Sequence, residues 1–163
     1  MRMVRVSRGV GVGAVLVTCL VLLGSAGFAQ GDSLVGTWVL NVAKSKYTPG
    51  PPPKDQTTIF EVAGRGLKVT TTGTDSAGKP TMTAYTANYD GKDYPVTGNP
   101  AWDMVSLKRI NANTVEYTRK KAGKVVQTAT SVISKDGKTR TITSTGVNAQ
   151  GQKIHNVGVY DKK

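Results

Sequence analysis

An all-β chain, rolled into a single up-and-down antiparallel β-barrel of about eight to ten strands, is the fold class this sequence predicts. Three observations predict it. Glycine-bearing turns recur at a nearly constant interval: Gly64 and Gly78 are 14 residues apart, Gly91 follows 13 later, and Gly123, Gly137 and Gly151 again stand 14 apart. A strand of about ten residues plus a tight turn fills that interval, which is the mark of a meander. The segments between the turns are rich in threonine and valine, whose branched β-carbons favour the extended backbone. Beyond residue 30, no long run carries the i, i+3, i+4, i+7 apolar stripe of an amphipathic helix.

Taken in order, the chain opens on a segment set apart from the rest. Arg2, Arg5 and Arg8 give a basic start, Val10 to Leu23 is predominantly apolar, and Ser25-Ala26-Gly27-Phe28-Ala29 supplies small residues. This is the three-part pattern of a secretory signal, with cleavage expected after Ala29. The domain division is therefore 1–29 as signal peptide and 30–163 as one barrel domain. The apolar run is about 14 residues, short of the roughly 20 needed to span a bilayer, so no membrane span is expected after cleavage. Periplasmic or secreted localisation follows. Cys19, the one cysteine, lies inside that run, so the mature chain would hold no disulfide and no thiol chemistry.

Next comes Leu34-Val35-Gly36-Thr37-Trp38-Val39-Leu40-Asn41. Trp38 carries the largest apolar surface of the early chain, and Gly36, two residues before it on the same strand face, leaves room beside the indole. Trp38 is expected to plug one end of a closed sheet. Residues 42–55 then break the pattern. Tyr47-Thr48-Pro49-Gly50-Pro51-Pro52-Pro53 cannot sit within a sheet, because proline lacks the ladder donor, and is expected as a long first loop over the mouth of the barrel. From Gln56 the strands are expected at 56–63, 67–74, 80–89, 92–97, 102–110, 113–120, 124–134, 138–146 and 152–161, after a first strand at 35–41. Alternation leaves the inward face of several open. In the strand at 138–146, Thr139, Thr141, Thr143 and Thr145 oppose Arg140, Ile142 and Ser144, and neither set is strongly apolar. The interior is either packed by small residues or encloses a partly wet cavity.

Gly36-x-Trp38 resembles the opening motif of the lipocalins, and Leu34 to Leu40 is similar to the first strand of the fatty-acid-binding proteins. Gly158-Val159-Tyr160-Asp161-Lys162 resembles the last strand of the latter, where an Arg-x-Tyr pair grips a ligand carboxylate. Here Tyr160 matches the tyrosine, but Gly158 stands at the arginine position and offers no charge. With Tyr89-Asp90-Gly91-Lys92-Asp93-Tyr94 included, the mature chain is similar to exported bacterial proteins with a lipocalin-like domain. That resemblance implies a barrel and a small hydrophobic or amphipathic ligand. The candidate binding residues are Trp38, Phe60, Tyr85, Tyr117, Arg140 and Tyr160. Arg140 replaces the missing charge if it points inward.

Composition bounds the alternatives. The formal charge of +12 falls to +9 once residues 1–29, with three arginines and no acid, are removed. The lysines are spread along the chain; Arg119-Lys120-Lys121 and Lys162-Lys163 are the clusters. A nucleic-acid site concentrates charge on one face with aromatics to stack on, so no specific nucleic-acid partner is expected. An anionic envelope component remains a partner for the basic exterior. A single histidine, His155, excludes a multi-histidine metal site, and a paired-acid mechanism requires Glu61 and Glu116 to face one cavity. No enzyme activity, no cofactor and no metal are expected, and a monomer is. The functional expectation is a noncatalytic ligand-binding barrel. A filled barrel acting as an envelope interaction module through its basic surface is the alternative.

Overall fold

In the computed structural model of the protein the described residues are 31–163; the expected signal segment, its cleavage point and Cys19 lie outside them. Ten strands follow one another: β1 Gly36–Leu40, β2 Asp55–Ala63, β3 Gly66–Thr74, β4 Pro80–Asn88, β5 Tyr94–Thr97, β6 Met104–Asn111, β7 Thr114–Lys121, β8 Lys124–Ile133, β9 Thr139–Val147 and β10 Lys153–Lys162. Each pairs antiparallel with its neighbours in sequence, and β1 pairs with β10, so the sheet closes. Closure leaves no free end strand, although β5 pairs at only two positions with each of its neighbours, β4 and β6. The hairpins form where glycine permits a positive φ, as at Gly64 (59°) and Gly137 (71°).

Alternation then decides which side chains fill the cylinder. At one end Leu34, Trp38, Leu67, Val105 and Leu107 are almost wholly buried. Trp38 is fully inaccessible, and its indole N–H donates to the Leu34 carbonyl at 2.7 Å, so the polar edge of the ring is satisfied inside the core. Lys162, its partner in the β1–β10 register, lays its ammonium 5.1 Å from the indole centre. A second clamp holds the entering chain. Asp32 accepts from the Tyr89 hydroxyl at 2.5 Å, from the Leu34 amide at 3.0 Å and from Arg109, whose guanidinium lies 3.9 Å from the centre of the Tyr89 ring.

The proline-rich segment is the expected long connection without a strand of its own, with Tyr47 and Pro49 reaching the barrel interior, and its first part is tied to β10. A 3₁₀ turn at Val42–Lys44, capped by the Asn41 side chain, redirects the chain along β10. Lys46 and Val157 then exchange backbone hydrogen bonds of 2.8 and 2.7 Å, and the His155 amide donates to the Thr48 carbonyl at 2.9 Å. The segment is a strap in the barrel wall that prolongs β1. Its prolines begin at Pro49, just past the last of these bonds, where no amide donor is required.

Candidate functional site

Inside the barrel, between the tryptophan-plugged end and the opposite mouth, lies a cavity of about 310 Å³. Strand alternation brings Phe60, Tyr85, Tyr117, Arg140 and Tyr160 to its wall from β2, β4, β7, β9 and β10. Trp38, the sixth sequence candidate, does not line it: packing in the closed end places the indole beneath the cavity floor, where it has no surface to offer.

Charge is the distinguishing feature of this interior. Arg140 points inward and is 4% exposed, with its Nε–H donating to the buried Ser131 hydroxyl at 2.9 Å. Its guanidinium carbon is 4.9 Å from the Phe60 ring centre and 5.1 Å from that of Tyr160, a seat made of two π-faces. Arg119 of β7 also enters the cavity, donating to the Gln127 side chain at 3.0 Å with its guanidinium carbon 4.9 Å from the Trp102 ring centre. Burial pulls the Arg119 pKa down, and Arg140 adds to that pull, yet arginine starts so high that it stays charged. Among the described residues no aspartate or glutamate lines the cavity. Glu61 and Glu116 are exposed, Glu61 pairing with Lys68 at 3.1 Å, so the two glutamates share no cavity. The barrel thus encloses two cations without an anion.

The hydrogen-bonding inventory sharpens this. The Arg119 Nε and the Tyr117 hydroxyl are buried without a hydrogen-bond partner among the described residues. Buried donors without a partner are costly. Tyr160 is already engaged: its hydroxyl donates to the Gln56 side chain and faces the Tyr47 hydroxyl. Burial pushes both phenols upward, so they remain protonated at neutral pH. Tyr160 is therefore a wall residue whose proton is committed elsewhere.

Tyr47, Trp102, Arg119 and Gln127 were missed as site residues in the sequence. Arg119 had a signal: it continues the period-two face of Val115 and Tyr117, but its place beside Lys120 and Lys121 reads as a surface cluster. A bulge between Arg119 and Lys120 breaks the alternation there. A second hollow, of about 640 Å³, opens beside Asp32, Tyr89 and Arg109, where Asp32 accepts from both Tyr89 and Arg109. No group of three or more His, Cys, Asp or Glu that could hold a metal ion occurs among the described residues.

No family model and no curated protein sequence matches the chain. Solved structures do resemble it. The zebrafish ileal bile acid-binding protein, crystallised with cholic acid, is similar at 15% identity, over 80% of this chain and 99% of that one, with a TM-score of 0.48. The siderocalin Ex-FABP, described as functioning through dual ligand specificities, is similar at 13% identity, over 80% of this chain and 74% of that one, with a TM-score of 0.37. The ten-stranded closed barrel has the strand count that the fatty-acid-binding resemblance implies, two more than the lipocalin barrel.

Proposed function

We propose that the protein is an exported, noncatalytic barrel that binds a small amphipathic anion in its interior. The observation that carries this reading is the pair of inward arginines, Arg119 and Arg140, in a cavity with no carboxylate. A buried guanidinium has lost its water and recovers that cost when an anion accepts its hydrogen bonds. Phe60, Tyr85 and Trp102 supply apolar surface for the rest of the ligand. The filled barrel, as an envelope module, is disfavoured by a cavity of about 310 Å³. Export, to the periplasm or medium, rests on the N-terminal pattern of residues 1–29.

Titrating the mature protein with the fluorescent anion 1-anilinonaphthalene-8-sulfonate tests the binding reading. The expected result is saturable one-site binding, displaced by octanoate and weakened in Arg119→Met. An absence of saturable binding by either anion at low salt would overturn it. N-terminal sequencing of the exported chain is expected to begin at Gln30.

A further inference from the structure

The two interior arginines occupy separate seats. Arg140 leans on Phe60 of β2 and Tyr160 of β10, whereas Arg119 leans on Trp102, in the segment leading into β6. In the order around the ring, β10, β1 and β2 are contiguous, and β5, β6 and β7 make up a different arc. Each guanidinium is also held by its own side chain from β8: Ser131 for Arg140 and Gln127 for Arg119. Those two anchors are four residues apart on one inward face of the strand, roughly 13 Å along it. The two arginines thus have separate anchors and separate aromatic seats, although Arg119 also reaches Ser144 of β9, the strand of Arg140, at 3.4 Å.

Charge balance adds a second constraint. A ligand with one acidic group neutralises one seat and leaves the other cation buried and unpaired, which is the costly arrangement. The Arg119 seat also holds two polar atoms that are buried without a partner among the described residues, its own Nε and the Tyr117 hydroxyl, so its charge is the less compensated of the two. The space is modest. About 310 Å³ lies at the lower end of the range for small-molecule sites, roughly 300–1,000 Å³, which suits a short body.

Resting on the reading of the cavity as an anion site, we propose that its occupant is a compact molecule with two separated acidic groups, a short dicarboxylate bound across the barrel with one carboxylate on Arg119 and the other on Arg140.

Calorimetric titration of the mature protein with octanoate and octanedioate at low salt tests this. Octanoate is the more apolar of the two, so a cavity that reads only apolar body and one charge prefers it. The expected result is octanedioate bound at least about tenfold more tightly, with that advantage lost in both Arg119→Met and Arg140→Gln. Binding of ¹³C-carboxyl-labelled octanedioate is expected to shift both carboxyl resonances, a readout that needs no variant. Octanoate binding equally or better would overturn the two-acid proposal and leave the anion site standing. Phenyl phosphate outbinding both acids would also overturn it, by showing that the arginines serve one dianionic group. Binding of neither acid, nor of the sulfonate dye, would remove the anion site itself.

Discussion

The Tyr47 hydroxyl hangs over Gly158, only 3.2 Å from where a β-carbon on that residue would stand. The position that offers no charge in the last strand is thus the socket into which the strap inserts its one aromatic side chain. A methyl group at 158 would also meet Tyr160 Cε2 at 3.0 Å and Ile142 Cγ2 at 3.3 Å. Gly158→Ala is expected to destabilise by about 1–3 kcal/mol through overpacking. Adding Tyr47→Phe, which removes the nearest strap atom, should recover part of that loss. Urea unfolding of the two single variants and the double variant measures the coupling; strictly additive effects would show that the strap does not bear on Gly158.

Trp38 separates stability from binding. Trp38→Phe removes the donor to the Leu34 carbonyl and leaves a void in the plugged end. About 2–3 kcal/mol should be lost in denaturant unfolding. Because the indole lies outside the cavity, affinity for the sulfonate dye is expected to change less than twofold. A tenfold loss of affinity without unfolding would place Trp38 in the site after all.

The Asp32 clamp predicts an acid limb. Burial pushes the Asp32 carboxyl up, but the Arg109 and Tyr89 hydrogen bonds, the Leu34 amide and the Arg109 charge outweigh it, so its pKa lies below the ordinary aspartate value. A depressed carboxylate contributes stability that is complete above the unfolded pKa of about 4 and lost as pH falls through the folded value beneath it. Asp32→Asn should lower stability at pH 7 and flatten the decline below about pH 4. Parallel curves for the wild type and the variant would refute the clamp.

Arg119 is expected to trade stability for binding. Replacing its buried guanidinium by Met removes a desolvated charge while keeping an unbranched apolar stem. The unliganded protein should gain about 1–3 kcal/mol as it loses the anion. Thermal unfolding with and without octanoate reads both effects. A destabilised Arg119→Met would mean that the Trp102 and Gln127 contacts already compensate the charge.

How much of this was legible in the sequence differs from one element to the next. Strand positions were, because glycine turns such as Gly123, Gly137 and Gly151 bracket segments that leave almost no other way to fold. The end plugged by Trp38 was legible too, since nothing else nearby has its apolar area. The cavity wall was not. On β9 both faces mix polar and apolar residues, and only the register with β8 and β10, which sets Arg140 opposite Ile133 and Tyr160, turns the arginine inward. The strap was hidden for a similar reason. Tyr47 sits among prolines that exclude a central strand, and its inward aim depends on pairing with residues more than a hundred positions later.

Because β1 finds its second neighbour only in β10, the ring cannot shut until Lys153–Lys162 has been synthesised. A nascent or C-terminally clipped chain would carry two raw edges, on β1 and β9, each able to recruit the same edge of another copy. Pairing of Lys153–Lys162 with both β1 and β9 covers those two edges at once.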